Sequence, residues 1–562
     1  MKQLWIIAAL LSIIIVSTIL RIDNIRERTI GHIETYVPGI ELPSGISIPP
    51  PRYGLLDYIR RTIQEEPHPP AYYVFMFPWT RAFGTSLLSI RLPSVLFGVL
   101  SIILIYLLCL YTEDKLTAIL AAGMLALNGL HIYWSLEAKF YIMACFLGIL
   151  STLLLVLCLK NDKHQKILKF LYLGITLTGL STVIFFWPIF LTQMLWVFLK
   201  NWRDKKTIPG MLRVQLLIFI IGSPLLAVAA YQSKRQAYIE ENPWMQLIHF
   251  FQFGFIFEPD PFPEASQTPL PIIVFIGMIV LASFLFIVGI VNKPKQQVEA
   301  RRNNGWPPTY LMMIVGIICF FAILLFAKLA HAKDNNRTAL IITTGCLPLI
   351  LPFLDLGLKK YWNQLASLKI DFTEKWTFVN NLNSLNTLLG IVPAFMIAGV
   401  SFITPLFIAR GVLAFVPYFL IILCRGLASL IHSSKLWVML LIVIGVIHGF
   451  GVKHWQNRLH SPRNYKEMYE KLEPKIKDSD LIFVYQNWAM SPIFYYLKAD
   501  YYNLVGREYD QAIKKNPESR VWVLCLPGMP MKQEIKDALI NYEQQERVDA
   551  FNMWSLLYQK NP

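Results

Sequence analysis

Charge is scarce in this chain. Asp, Glu, Lys and Arg make up 16% of its 562 residues, where a soluble globular domain carries about a quarter. That shortage excludes a surface solvated on all sides, and the mean hydropathy of +0.47 agrees. The cysteines Cys109, Cys145, Cys158, Cys319, Cys346, Cys424 and Cys525 form no C-x-x-C pair, and all but Cys525 sit in apolar runs. A disulfide framework and a zinc site are thereby excluded, leaving small buried hydrophobes. No G-x-G-x-x-G, P-loop, nucleophile elbow or H-E-x-x-H stretch occurs, so the chain lacks the signatures of those nucleotide-binding and hydrolytic classes. No internal repeat marks an inverted-repeat transporter. Mid-span regions are almost free of charge, which argues against a transport path; His448 alone in the last span suits an interhelical hydrogen bond.

What the chain does have is apolar length. Runs near twenty residues recur from end to end, and the sequence predicts an α-helical polytopic membrane protein of about 13 transmembrane helices. They are placed at 4–20, 87–111, 115–132, 140–159, 167–180, 182–199, 212–231, 270–291, 309–330, 338–357, 387–408, 411–431 and 435–452, with 167–199 alternatively one long kinked segment. The first run lacks an A-x-A-like site before Arg21 and is expected to stay as an anchor. Basic clusters at Lys160–Lys169, Lys200–Arg213, Lys293–Arg302 and Lys359–Lys375 all fall on one side of that layout, which the positive-inside rule makes cytoplasmic. The net charge of +16 is thus mostly topology, and no nucleic-acid partner is expected.

The opposite face receives a long loop, 21–86, and the tail. Residues 1–452 are expected to form the membrane domain and 453–562 a small extracytoplasmic α/β domain. In the tail, Asp480–Tyr485, Arg520–Leu526 and Val548–Tyr558 suggest strands and Met531–Gln545 a helix. From Arg21 through Arg91 the chain holds eight Arg and no Lys. Planar guanidinium groups suit bidentate phosphate contacts, and equally suit amphipathic helices on anionic headgroups. Polar features on this face are Gly31-His32-Ile33-Glu34, Glu65-Glu66-Pro67-His68-Pro69-Pro70, Tyr133–Tyr141 and Thr404–Arg410. Glu137 and Lys139 also fit a hydrated turn, and Arg410 a snorkelling cap.

Three of these stretches carry a resemblance. HPPAYYVFMFPWTRAFGTSLLSIRLPSVLFGVLSIILIYLL (His68–Leu108), YWSLEAKFYIMACFLGILS (Tyr133–Ser151) and PLFIARGVLAFVPYFLIIL (Pro405–Leu423) resemble, in order, segments of the GT-C superfamily. These are polytopic membrane glycosyltransferases related to protein O-mannosyltransferases and to the lipid A aminoarabinose transferase. The family has an H-P-P-hydrophobic-Y-Y stretch leading to an R-L-P-S span start, matched by Arg91-Leu92-Pro93-Ser94. It also has Y-x-S-Q-E-A-R-x-Y-A-L and a late P-x-x-x-x-R-Y helix. The resemblance covers roughly Met1 to Val452.

It implies a bacterial plasma-membrane enzyme with its site on the extracytoplasmic side. Such an enzyme moves a sugar from a polyprenyl-phosphate donor to a lipid, glycan or protein acceptor, by an inverting displacement that needs one base and cations for the departing phosphate. The implied base is Glu34, aided by His32. Phosphate would meet Arg91, Lys139 and Arg410, with help from some first-loop Arg. The cavity would be lined by Glu66, His68, Pro69, Pro70, Tyr133, Glu137 and Tyr141. Ile33 stands where the family has its usual Asp. Three expectations follow: Glu34 takes over as base, another acid among Glu41, Asp57, Glu65 and Glu66 does so, or transfer is lost. Lys139 stands for the family's Arg, keeping charge without bidentate geometry. A divalent metal stays open, because His32, Glu34, Glu66 and His68 match no standard ligand spacing. The competing expectation is a non-catalytic binding or export partner for envelope polysaccharide on the same scaffold.

Overall fold

In an apolar surrounding, a backbone N–H or C=O has no partner but its own helix. The chain is accordingly mostly helical, with several apolar helices and a small mixed sheet near its C-terminus, as a multi-pass membrane protein. The computed structural model describes residues 2–22, 71–160, 165–203, 209–233, 272–291, 382–401, 409–433, 464–485, 508–526, 530–550 and 553–561. It also describes the short stretches 25, 28–31, 34–40, 54–56, 59–60, 69–70, 438, 444–445, 492–493, 495–497 and 503–505. The helices in chain order are α1 (Lys2–Ile22), α2 (Ala71–Phe83), α3 (Leu87–Thr112), α4 (Lys115–Ala126), α5 (Gly129–Ser135) and α6 (Phe140–Lys160). Then come α7 (Gln165–Leu180), α8 (Phe186–Arg203), α9 (Pro209–Ser233), α10 (Ile272–Val291), α11 (Asn383–Ser401) and α12 (Val416–Ser433).

Among the described residues, α3, α6 and α11 are long and apolar enough to cross a membrane, and the α4–α5 pair makes a fourth if it is one broken span. The run expected at 115–132 bends there by 58°. Asn128 explains the break: its side-chain oxygen accepts the His131 N–H at 2.9 Å and starts a new helix. The stretch 167–199 forms two helices, α7 and α8, with a turn at 181–185 between them. The expected runs at 309–330 and 338–357 lie outside the described residues.

The chain makes two compact units, one of residues 1–18, 97–132 and 141–452, the other of 19–96, 133–140 and 453–562. In the first unit, α10 and α12 approach at glycines. A Cβ on Gly426 would lie 2.0 Å from Leu285 O, and one on Gly289 1.9 Å from Ile422 O. Without side chains there, backbones touch. Beside this contact Arg425 is buried and uses all its N–H groups. It donates to both oxygens of Glu113 at 2.9 and 2.6 Å, to Gly289 O, to Thr387 Oγ1 and to Asn383 O. Asn386 Nδ2 adds a bond to Glu113 at 2.9 Å. Further along, neutral groups form a chain: Tyr418 to Thr152 at 2.7 Å, Gln193 to Thr152 at 2.9 Å, Tyr172 to Gln193 at 2.8 Å and Gln215 to Tyr172 at 3.2 Å. It ties α6, α7, α8, α9 and α12 without a charge.

In the second unit the tail supplies α13 (Tyr465–Leu472), α14 (Tyr509–Lys515) and α15 (Gln533–Ala538). Its strands are β1 (Leu481–Val484), β2 (Asn503–Val505), β3 (Val521–Cys525), β4 (Tyr542–Ala550) and β5 (Met553–Lys560), in the order β2-β1-β3-β5-β4. β1 is parallel to β2 and β3; β5 is antiparallel to β3 and β4. Leu481, Phe483, Val521 and Val523 pack on one face, and Ile482, Val484, Trp522 and Leu524 on the other. Burial on both faces is why these strands are unbroken apolar runs. The helix expected over 531–545 is corrected: it spans only α15, and 542–550 is a strand. YEQQERVDA is rich in helix formers, but pairing with β5 overrides local propensity, and the charged side chains suit an outer strand.

The Arg425–Glu113 pair gives a stability test. Glu113→Ala should cost about 3–5 kcal/mol, because it strands a buried guanidinium. Replacing both residues with Leu should recover most of that loss, measured as the thermal midpoint in detergent.

Candidate functional site

Pro70 stands just before α2, where a proline ring is tolerated. Gly84 closes α2 with φ of 76°, a conformation favouring glycine. Inside α3, Pro93 has no N–H to give the carbonyl four residues earlier, and Trp79 Nε1 donates to that carbonyl, Ser89 O, at 2.9 Å. This junction fixes the start of α3, on which Arg91 is the fifth residue.

Arg91 is fully buried, and each of its five N–H groups is used. Nε and Nη2 donate to the two oxygens of Glu34 at 2.8 and 2.6 Å. Nη1 donates to Ile25 O and Arg28 O at 2.8 and 2.9 Å, and Nη2 also to Thr29 O at 2.9 Å. Ile25, Arg28, Thr29 and Glu34 of the first loop therefore all meet one guanidinium. Glu34 is equally committed. Besides Arg91, its carboxylate accepts Gly31 N–H at 2.9 Å and Ala138 N–H at 2.8 Å, filling the four acceptor positions of a carboxylate.

A second carboxylate lies alongside. Glu137 accepts from Arg28 Nη2 at 2.7 Å, both side chains being buried. The Arg28 guanidinium stacks 4.1 Å from the Tyr133 ring centroid, and among the described residues Arg28 Nε has no hydrogen-bond partner. Lys139 is buried with its ammonium 5.2 Å from the Phe140 ring. Gly31 separates the carboxylates: a Cβ there would lie 3.2 Å from Glu137 Oε2 and 3.8 Å from Glu34 Oε2.

The two acids are driven apart electrostatically. Burial opposes the charge on Glu34, but Arg91 and the two backbone N–H groups outweigh it, holding the carboxyl below its usual 4.5. For Glu137 burial dominates and the Glu34 carboxylate adds to it, so the group rises above 4.5 despite Arg28, Arg91 and Lys139.

The structure thus brings together Glu34, Arg91, Tyr133, Glu137 and Lys139 of the expected site. It gives Glu34 and Arg91 a different setting from the expected one: they saturate each other, leaving Arg91 no N–H for a phosphate and Glu34 no oxygen for an acceptor hydroxyl. Pro69 is buried and Pro70 half-buried beside α2; Tyr141 is buried in the first turn of α6. His32, Glu66, His68, Glu41, Asp57 and Glu65, and the side chain of Arg410, lie outside the described residues. Among the described residues no group of three or more His, Cys, Asp or Glu is arranged to hold a metal ion. Two further residues of the cluster are not singled out by the sequence, Arg28 and Tyr496. Arg28 is one of eight arginines, and nothing local marks Tyr496, whose hydroxyl accepts the Ile30 N–H and shares a hydrogen bond with the Thr29 hydroxyl more than four hundred residues away.

No family model matches the chain and no curated protein does. Among solved structures, it is similar to the oligosaccharyltransferase AglB from Archaeoglobus fulgidus in complex with an inhibitory peptide and a dolichol-phosphate. That alignment has a TM-score of 0.42 at 10% identity and covers 99% of this chain and 74% of that one. It is also similar to ArnT from Cupriavidus metallidurans, with a TM-score of 0.41 at 11% identity over 99% and 98% of the two chains. With ArnT bound to undecaprenyl phosphate the score is 0.39 at 11% identity, over 98% of each. These are GT-C membrane glycosyltransferases. At such scores the likeness is coarse, and residue roles rest on geometry.

Glu34 gives a pH test. A carboxyl lowered on folding stabilises fully above its unfolded value, about 4.5, and that contribution is lost as pH falls through the folded value. The gap in thermal midpoint between wild type and Glu34→Gln should therefore narrow below about pH 4.5. A gap constant down to pH 3 would contradict the ion-pair assignment.

Proposed function

We propose that this chain is a membrane glycosyltransferase that moves a sugar from a polyprenyl-phosphate donor to a lipid, glycan or protein acceptor on the outer face of the membrane. The observation supporting it most is a buried cluster in which Arg91 and two backbone N–H groups occupy the Glu34 carboxylate while a second carboxylate, Glu137, lies alongside and pairs with Arg28. The donor class comes from the sequence resemblance.

In this reading Glu34 is the frame and Glu137 the base. The acceptor hydroxyl gives its proton to Glu137 while its oxygen bonds the anomeric carbon. The bond from that carbon to the phosphate oxygen breaks, and the polyprenyl phosphate leaves with the electron pair. A base needs a value near the working pH, which favours the raised acid over the lowered one. Arg28, with an uncommitted Nε, and Lys139 offer the positive charge for the departing phosphate. Arg91 contributes indirectly, by holding the loop that carries Arg28. The absence of a Cβ at Gly31 matters too, because one there would lie 3.2 Å from Glu137 Oε2 and press on that carboxylate.

Purified protein with a panel of polyprenyl-phosphate sugars tests this. Glu137→Gln should lower turnover on the order of a hundredfold or more with donor binding and thermal midpoint retained. Glu34→Gln should lower the midpoint and turnover together. If Glu137→Gln keeps wild-type turnover, the base is elsewhere. If the wild-type protein binds the lipid and transfers nothing from any donor, the binding or export reading takes its place.

A further inference from the structure

We infer that the C-terminal domain completes the outer-loop site through Tyr496, a positioning residue that holds the Thr29–Gly31 backbone in register with the Glu34–Arg91 pair. The contacts run over consecutive positions of the loop. Tyr496 Oη accepts the Ile30 N–H at 3.0 Å and shares a hydrogen bond with Thr29 Oγ1 at 3.4 Å. Thr29 Oγ1 also accepts the Lys466 N–H, in the first turn of α13, at 3.2 Å. The Tyr496 ring stacks on Tyr469 of α13, centroids 5.8 Å apart and planes 21° from parallel, so the hydroxyl is aimed by a fixed surface. Tyr495, edge-on to Tyr496, donates to Thr85 O in the turn before α3 at 3.3 Å.

These groups connect directly to the charged cluster. The carbonyl of Thr29 accepts from Arg91, and the N–H of Gly31, next after Ile30, donates to Glu34. Moving the Thr29–Ile30 peptide would change both bonds at once. It would also shift Arg28, whose own carbonyl accepts from Arg91 and whose guanidinium pairs with Glu137. Tyr496 is mostly buried, and burial pushes its hydroxyl above the usual 10, so at neutral pH it stays protonated and able to donate. A buried Ile30 N–H without this oxygen would be an unsatisfied donor. Only the activity part of the test depends on the transferase reading above.

The test pairs hydrogen exchange with kinetics on the full-length protein in detergent, comparing wild type, Tyr496→Phe and Thr29→Val. Tyr542→Phe serves as control, since it removes a hydroxyl that bonds Pro517 O at the domain surface. Tyr496→Phe should speed exchange in peptides covering residues 25–36 while the β1 and β3 peptides keep their protection. It should lower kcat by about ten- to a hundredfold with the donor KM little changed, as misplacement of reacting groups does. Thr29→Val should act in the same direction, and Tyr542→Phe should do neither. Unchanged exchange at 25–36 in Tyr496→Phe would overturn the inference; so would faster exchange with full turnover. If Tyr496→Phe does not fold, Thr29→Val decides by the same criteria. If wild-type protein shows no transfer at all, the transferase reading fails, and the exchange result alone still decides whether Tyr496 holds the loop.

Discussion

The charged cluster around Arg91 depends on one fully buried ion pair. Taking a guanidinium and a carboxylate out of water costs several kcal/mol per ion, and their attraction repays this only with good geometry and complete hydrogen bonding. Arg91 and Glu34 meet both conditions, with two N–H···O bonds between them and every other N–H and lone pair occupied. Because the remaining partners are backbone groups, the pair determines the path of the chain itself. Ile25, Arg28 and Thr29 present carbonyls to it, and Gly31 and Ala138 present N–H groups. Two stretches more than a hundred residues apart in sequence are thereby fixed around one point. Glu137 inherits its setting from this arrangement: its raised value arises from burial beside a neighbouring acid that stays charged.

The other unit uses the same device with a different effect. Arg425, like Arg91, uses all five N–H groups, while Glu113 accepts three hydrogen bonds to the four of Glu34; the extra partners here are Asn383, Asn386, Thr387 and a helix carbonyl. There the pair fastens helices, and glycine contacts between α10 and α12 let the backbones come close enough for Arg425 to reach Gly289 O. Elsewhere in that unit, hydroxyls and amides link helices with no charge to desolvate. Apolar burial alone gives helices little preference for each other in lipid, so these polar contacts supply the specificity.

Much of this was legible in the sequence, and the rest was hidden for identifiable reasons. Apolar length announced the helices, and unbroken runs such as LIFV and VWVLC announced the buried strands, because burial on both faces leaves no alternation to obscure them. The strand over 542–550 was hidden because its residues favour a helix locally and become a strand only by pairing with β5. Glu34, Arg91, Glu137 and Lys139 were legible as participants, since charges beside apolar runs are conspicuous. Their mutual commitment was not, because no spacing rule links residue 34 to residue 91. Tyr496 was hidden most deeply: a tyrosine in an aromatic tail has no local mark of partnership with a loop at the other end of the chain.

The bond between Ile30 and Tyr496 spans 466 positions. A ribosome adding roughly 5–20 residues per second takes tens of seconds to travel that distance. During that interval the first loop exists without the hydroxyl that anchors it, and for most of it Glu113 likewise waits for Arg425, 312 positions later. The nascent chain therefore carries buried-type charges before their partners have been made, and it must shelter them by hydration, protonation or assistance from other proteins. The loop that carries Thr29 and Ile30 takes its final form near the end of translation, so a truncated product lacking the tail would carry the cluster's side chains without one of the anchors of its geometry.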